Sequence, residues 1–206
     1  IRLAGAEGRP PVVEVNDAAL ASVLAAGGVD VAKIRADTST VILTDPGLKV
    51  MIDLKETVLK KSSAPNTIGI LEGTDPKLKH EYLVYSAHMD HVGIASGKPD
   101  SIHNGADDDA SGTVGVVELA EAFSRPGARP KRSILFITVS GEEKGLWGSN
   151  YFVNHPTVPL KDMVADINLD MIGRNWPDTI VAIGREHSDL GKTLEAVNAQ
   201  HPELGM

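Results

Sequence analysis

The sequence predicts an α/β fold with a mixed, largely parallel central sheet and helices on both faces. From Thr67 onward, short apolar stretches with strand character alternate with helical stretches, as in sheets whose strands are joined by helical crossovers. The run 133–139 is apolar without a break, which is typical of a strand buried on both faces. Histidine and acidic residues follow directly after several of these strands, where α/β sheets bind their ligands.

The first 60 residues have a different pattern and contain no catalytic constellation. Their apolar residues alternate imperfectly, as in half-exposed strands, and a glycine pair ends one helical stretch. The segment 60–66, rich in lysine, serine and proline, is typical of a linker. We therefore expect one domain at 1–60 and a second at 61–206. The elements predicted in the first domain are strands at 10–15 and 49–59 and a helix from Asn16 or Asp17 to Ala26.

In the second domain, strands are recognised as apolar runs bounded by turn residues. The helix at 111–123 has apolar residues on most of its faces, which predicts that it is largely buried. The predicted strands are 67–71, 82–87, 133–139, 164–169 and 179–183, and the predicted helices are 111–123, 146–154 and a last helix capped by Ser188.

Composition narrows the possible partners. The formal net charge of -8 argues against nucleic acid or an anionic membrane surface, because both attract basic proteins. There are no cysteines, which excludes disulfides and zinc sites built from thiolates. No stretch is long and apolar enough to cross a membrane, and no signal peptide pattern opens the sequence at Ile1.

Four segments are expected to place polar groups at one edge of the sheet. Three of them follow predicted strands, and the fourth leads into the helix at 111–123. Because the carboxyl ends of parallel strands meet at one edge, these groups should lie close together. The groups are His88 and Asp90, the aspartates 107–109, Glu142 and Glu143, and Asp170.

Imidazole and carboxylate ligands without thiolate suit a catalytic zinc site better than a structural one. One aspartate can bridge two cations, and two zinc ions about 3.5–4 Å apart can activate a shared water. Glu142 and Glu143 point in different directions as neighbours, so one can bind metal while the other serves as general base. Chemistry alone leaves open which aspartate of 107–109 bridges. These acids could instead cap the helix that follows, since its dipole stabilises negative charge.

The motifs resemble those of the M28 family of zinc aminopeptidases and carboxypeptidases. Four segments match in the family's order and with similar spacing, and the region of resemblance extends over about 66–174. The matching segments are 86–91 (Ser-Ala-His-Met-Asp-His), 105–112 (Gly-Ala-Asp-Asp-Asp-Ala-Ser-Gly), 141–149 (Gly-Glu-Glu-Lys-Gly-Leu-Trp-Gly-Ser) and 168–173 (Asn-Leu-Asp-Met-Ile-Gly).

The resemblance implies a site for two zinc ions. His88 and Asp170 would bind one ion, and Glu143 would bind the other. Asp108 would bridge the two, because it is the aspartate that aligns with the ligand of the family.

The resemblance also implies roles for two carboxylates that bind no metal. Glu142 would act as the general base that takes the proton of a zinc-bound water and so generates the attacking hydroxide, and Asp90 would orient His88. The remaining histidines of this region, His91, His103 and His155, are expected to lie outside the metal site.

The family has a further histidine ligand well downstream of the position of Asp170. His187 and His201 come too early to fill that position. We therefore expect a fragment of a larger enzyme, incomplete at its C-terminus, with four of five ligands and little activity alone. The segment from 1 to about 57 resembles the tail of a protease-associated (PA) domain.

The parent protein is expected to be a secreted or periplasmic zinc exopeptidase that removes N-terminal residues from peptides. Cleavage at the C-terminus of peptides, as by carboxypeptidases, remains an alternative. A glutaminyl cyclase would use one zinc rather than two, and M20 peptidases share the His-x-Asp motif and the glutamate pair. A non-catalytic binding module of the same fold is a further alternative, which the intact ligand set disfavours.

Overall fold

The computed structural model describes residues 16–36, 57–58, 61–97, 99–177 and 179–204. The chain divides into two units, Arg2–Lys61 and Ser62–Met206. The strand predicted at 10–15 and nearly all of the strand predicted at 49–59 lie outside the described residues. The similarity of the first unit to a PA domain remains a prediction.

In the first unit, helix α1 spans Asp17–Ala26 and helix α2 spans Val31–Ala36. The Asn16 side chain caps α1, because its Oδ1 accepts a hydrogen bond from the Ala19 N–H at 2.9 Å. The glycine pair at 27–28 ends it, which confirms the predicted helix.

The second unit is built on a four-stranded sheet of order β1-β3-β2-β4. Strand β2 pairs in parallel with both β3 and β4, whereas β1 pairs with β3 in the antiparallel direction. This confirms the mixed, largely parallel sheet and four of the predicted strands. The strands are β1 (Thr67–Leu71), β2 (Tyr82–His88), β3 (Ser133–Val139) and β4 (Met163–Asn168).

Helices cover both faces of this sheet. Helix α3 (Ala110–Ser124) packs through Val116 against Ile134 and Phe136 of β3. Alternate residues of the same strand, such as Leu135 and Ile137, belong to the core on the other face, with Phe152 of helix α4 (Trp147–Asn154). Because side chains alternate along a strand, burial on both faces explains the unbroken apolar run of β3. Helix α5 (Leu190–Gln200) follows near the end of the described chain.

The strand predicted at 179–183 is wrong for the residues that the structure describes. They lie in coil and turn, and Ile180, Val181 and Ile183 are exposed by 54%, 63% and 95%. The β-branched residues favour extended backbone, but a strand forms only where a neighbouring strand accepts its hydrogen bonds.

Within the described ranges, no helix combines the length and the apolar character needed to cross a membrane.

Candidate metal centre

The carboxyl ends of three parallel strands position the candidate site. His88 is the last residue of β2, and its side chain is only 3% exposed. After β3, Gly141 adopts a left-handed conformation (φ 74°) and begins the turn Glu142–Lys144. Asp170 follows β4 by two residues. The predicted convergence at one edge of the sheet is therefore present.

The His88 ring has a defined orientation and tautomer. Its Nδ1 lies 2.9 Å from the carbonyl oxygen of Asp90, which can only accept, so Nδ1 carries the proton. In the neutral ring Nε2 then carries the lone pair, and it lies 3.0 Å from Asp108 Oδ1 and 3.9 Å from Asp170 Oδ1. Three lone-pair donors that face one another in this way can hold a cation.

A second donor group lies beside the first and shares Asp108 with it. It consists of His91, Asp108 and Glu143. Asp108 Oδ1 faces the His88 ring, whereas Asp108 Oδ2 lies 3.8 Å from His91 Nδ1. Each oxygen of this carboxylate therefore serves a different donor group, as the oxygens of a bridging aspartate do.

Asp107 has a different function from its neighbour. Its Oδ1 accepts hydrogen bonds from the Gly173 N–H at 2.8 Å and from the Ser111 hydroxyl at 3.2 Å. These bonds tie the loop after β4 to the beginning of α3, and this carboxylate belongs to neither donor group among the described residues.

Asp109 is a buried structural residue, and it fits the alternative in which an aspartate of 107–109 caps the helix that follows. It is 2% exposed and accepts hydrogen bonds from three backbone N–H groups. Oδ1 accepts from Gly112 at 3.0 Å and from Met171 at 3.3 Å, and Oδ2 accepts from His88 at 3.1 Å. It thereby joins the end of β2, the first turn of α3 and the loop that carries Asp170. The position of Asp109 directly before the Ala-Ser-Gly helix start is the sequence signal for this capping role.

Asp90 and Glu142 are also in contact, through the backbone of Glu142. Asp90 Oδ1 accepts the Glu142 N–H at 3.0 Å and lies 3.8 Å from Nδ1 of His88. The carboxylate of Asp90 thus fixes the turn that carries Glu142, while its carbonyl oxygen holds the His88 ring. That the Asp90 side chain orients His88 remains a prediction.

The Glu142 carboxyl lies in strongly negative surroundings. Burial raises its pKa above the usual range, and the charge of His88 acts in the opposite direction. The nearby carboxylates of Glu143 and Asp170 raise the pKa further. A carboxyl whose pKa is raised towards neutral pH is suited to general-base catalysis.

The His88 ring is also surrounded by negatively charged carboxylates. Burial, the strongest single influence, lowers its pKa. The carboxylates of Asp109 and Asp170 and the carbonyl of Asp90 together outweigh burial, so that the pKa of His88 lies above its ordinary value. The same negative charges that favour a proton on this ring also favour a metal cation beside it.

The residues present fit zinc. Imidazole nitrogen and carboxylate oxygen are the ligands of catalytic zinc sites. In addition, His91 Nδ1 and Glu143 Oε1 are buried and have no hydrogen-bond partner within the described chain. Buried polar atoms are rarely left without a partner unless they bind an ion or water.

The histidines other than His88 and His91 lie outside both donor groups. His103 is exposed, with its ring centroid 6.0 Å from that of His91. His155 contacts the Tyr151 carbonyl oxygen, and His187 and His201 each lie beside a neighbouring glutamate. His91 differs from the expectation, because the structure places it within the second donor group.

A groove of about 540 Å³ opens beside this centre. His88, Glu142 and Asp170 line it together with apolar side chains of α4 and β4, among them Phe152 and Met163. Its mixed polar and apolar lining is typical of sites that bind organic ligands.

Comparison with known proteins places the chain in a family. Residues 66–203 match peptidase family M28. The chain is 34% identical over 126 residues to aminopeptidase YwaD of Bacillus subtilis, covering 60% of this chain and 25% of the relative. It is 35% identical over 117 residues to leupeptin-inactivating enzyme 1 of Streptomyces exfoliatus, covering 56% of this chain and 24% of the relative.

The chain thus spans about a quarter of the length of these curated relatives. Among solved structures, an aminopeptidase from Aneurinibacillus sp. strain AM-1 is 29% identical, with a TM-score of 0.42. That alignment covers 52% of this chain and 24% of the other. Because the match to the family extends over more than half of the sequence and includes both donor groups, the chain belongs to peptidase family M28.

Proposed function

We propose that this chain carries the metal centre of a zinc-dependent peptidase. The observation that carries the proposal is the pair of donor groups that share Asp108, one group with His88 and one with Glu143. Because the chain belongs to a peptidase family, we propose that this centre acts on peptide bonds.

Each group of the centre has a separate task in the proposed hydrolysis. Bound zinc supplies Lewis acidity, which makes a water easier to deprotonate and polarises the scissile carbonyl. Glu142, outside both donor groups, accepts a proton from the attacking water and returns it to the leaving amine. Asp90 holds the backbone of Glu142 and so keeps this carboxylate in place.

We further propose that the protein is an aminopeptidase with two zinc ions in its site, and that it is secreted or periplasmic. The name of the relative from Bacillus subtilis supports the aminopeptidase activity, and the bridging geometry of Asp108 supports the ion count. We also propose that the 206-residue chain alone hydrolyses aminoacyl substrates slowly. The additional histidine implied by the family resemblance is not in either donor group of the described residues.

The base assignment is tested by Glu142→Gln in the full-length protein. Loss of the base should lower kcat for an aminoacyl p-nitroanilide by about 10²- to 10⁴-fold. The zinc content should not change, because Glu142 belongs to neither donor group. Glu118→Gln is the matched control, since this glutamate lies exposed on α3. Full activity of Glu142→Gln would refute the assigned base, and one zinc per wild-type chain would favour a cyclase-like centre.

A further inference from the structure

We infer that Asn66 is a positioning residue for the segment that carries Glu142 and Glu143. This segment, the glutamate loop, extends from Ser140 directly after β3 to Gly148 in the first turn of α4. The side-chain amide of Asn66 is hydrogen-bonded to both ends of the loop. The inference rests on the proposed hydrolysis, in which Glu142 is the base, and adds a residue that holds this base in place.

The register of β1 brings Asn66 to the glutamate loop. Thr67, the first residue of β1, pairs with Thr138 near the end of β3. Because these two strands are antiparallel, the residue before β1 lies beside the carboxyl end of β3, where the loop begins. Asn66 is half-buried there, and it belongs to the same compact unit as the metal centre.

The amide of Asn66 uses both of its polar atoms. Oδ1 accepts a hydrogen bond from the Ser140 N–H at 3.1 Å, and Nδ2 donates to the Gly148 carbonyl oxygen at 2.8 Å. The Ser140 hydroxyl donates to the Pro65 carbonyl oxygen at 2.7 Å, which adds a third hydrogen bond between the same segments. These partners require one acceptor and one donor, and an ionised aspartate would supply no donor.

The backbone of the loop shows why its ends need to be held. Leu146 has a left-handed conformation with φ 60°, which a leucine keeps only where the surrounding structure imposes it. A Cβ at Gly148 would collide with the Ser140 carbonyl oxygen and with the Asn66 amide. The bare glycine therefore allows the two ends of the loop to approach the same amide.

Asn66 acts on the glutamates only through the backbone. Within the described part of the chain, it belongs to neither donor group and does not line the groove beside the centre. Asp90 holds the loop at the Glu142 N–H, whereas Asn66 holds it at its two ends. Loss of the Asn66 amide should therefore displace Glu142 and Glu143 and leave the groove intact.

Asn66→Ala in the full-length protein tests the inference. We expect kcat for an aminoacyl p-nitroanilide at saturating zinc to fall by about 10- to 100-fold, as on removal of other residues that orient the groups of a metal site. We expect little change in KM, because the amide does not contact the substrate groove.

Ser133→Ala is the matched control. The Ser133 hydroxyl is buried and also joins two segments, because it accepts from the Gly73 N–H at 3.0 Å and donates to the Lys79 carbonyl oxygen at 2.6 Å. It lies at the opposite end of β3, about 20 Å from Val139. We expect urea unfolding to show lower stability for this variant, with an unchanged kcat.

Hydrogen exchange of the zinc-free 206-residue chain gives a second readout, which does not depend on activity. In Asn66→Ala the Ser140 amide should exchange about fivefold faster or more, because it has lost its acceptor. In Ser133→Ala this amide should exchange as in the wild type.

Unchanged kcat in Asn66→Ala, together with an inactive Glu142→Gln, would overturn the inference and leave the proposed base standing. A loss of kcat no larger than that of Ser133→Ala would also overturn it, since the effect would then be one of stability alone. Full activity of Glu142→Gln would instead refute the proposed base.

Asn66→Asp decides the question if Asn66→Ala does not fold. The carboxylate keeps the acceptor for the Ser140 N–H and loses only the donor to Gly148. We expect its kcat to lie between those of the wild type and of Glu142→Gln. A kcat equal to that of the wild type would overturn the inference.

Discussion

At the scale of single residues, the carboxylate of Asp109 is the part of the site with the clearest structural consequence. Asp109→Ala removes the acceptor for three backbone N–H groups, two in buried hydrogen bonds (His88 and Gly112) and one in a partly buried bond (Met171). Since one unsatisfied buried group costs about 1–3 kcal/mol, we expect the free energy of unfolding to fall by about 3 kcal/mol or more.

Asp109→Asn is the matched variant. The amide keeps an oxygen at the position of Oδ1, which serves Gly112 and Met171, and loses only the acceptor for the His88 N–H. We therefore expect a loss of about 1 kcal/mol. Urea unfolding measures both variants. Equal losses would contradict the assignment of three separate hydrogen bonds to this carboxylate.

The sequence could predict which residues lie at the site, but not for each of them whether its role is to bind metal or to support the structure. His88, Glu142 and Asp170 follow apolar strands, so the position of each is fixed by a pattern that the sequence shows. The aspartates 107–109 have the same chemistry, and only the turn of the backbone decides that Asp108 faces both imidazoles. The sequence pattern could not predict the position of His91 beside Asp108 and Glu143, because a hairpin of more than ten residues brings these segments together.

At the scale of elements, the close contact between α3 and the end of β4 positions Asp170. Gly112 is buried in the first turn of α3, and a Cβ there would collide with the carbonyl oxygen of Leu169. Overpacking of a core costs about 1–3 kcal/mol, so we expect Gly112→Ala to reduce the free energy of unfolding by about that amount. The displaced Leu169 should also move Asp170 and weaken zinc binding.

Urea unfolding and a zinc titration measure these two effects. Gly69→Ala in β1 is the control, because a Cβ at that position has no atom within 4 Å. We expect the control variant to bind zinc as the wild type does. A Gly112→Ala variant with unchanged stability would contradict the close contact between α3 and the end of β4.

The elements themselves were predicted where burial determined the pattern. Strand β3 is apolar on both faces, and the structure packs it between α3 and α4. The segment 179–183 is equally rich in β-branched residues, but among the described strands none pairs with it. A local pattern indicates the tendency to extend, whereas strand formation depends on a partner that local sequence does not specify.

At the scale of the whole molecule, the metal centre lies between segments whose carboxylates repel one another when no cation is bound. The segments after β2, β3 and β4 and the loop before α3 each place a carboxylate at one edge of the sheet. A bound cation neutralises this repulsion and holds the segments together, so that metal binding and folding are coupled.

We therefore expect zinc to stabilise the folded chain against heat. Zinc at about 100 times its Kd should add about 2.7 kcal/mol. For a domain of this size that corresponds to a rise in Tm of about 5–10 °C, which a chelator should reverse. Asp108→Asn should lose most of the response, because Asp108 belongs to both donor groups, whereas His103→Ala should keep all of it. A Tm that is independent of zinc in the wild type, measured by differential scanning calorimetry, would show that the segments at this edge are held together without metal.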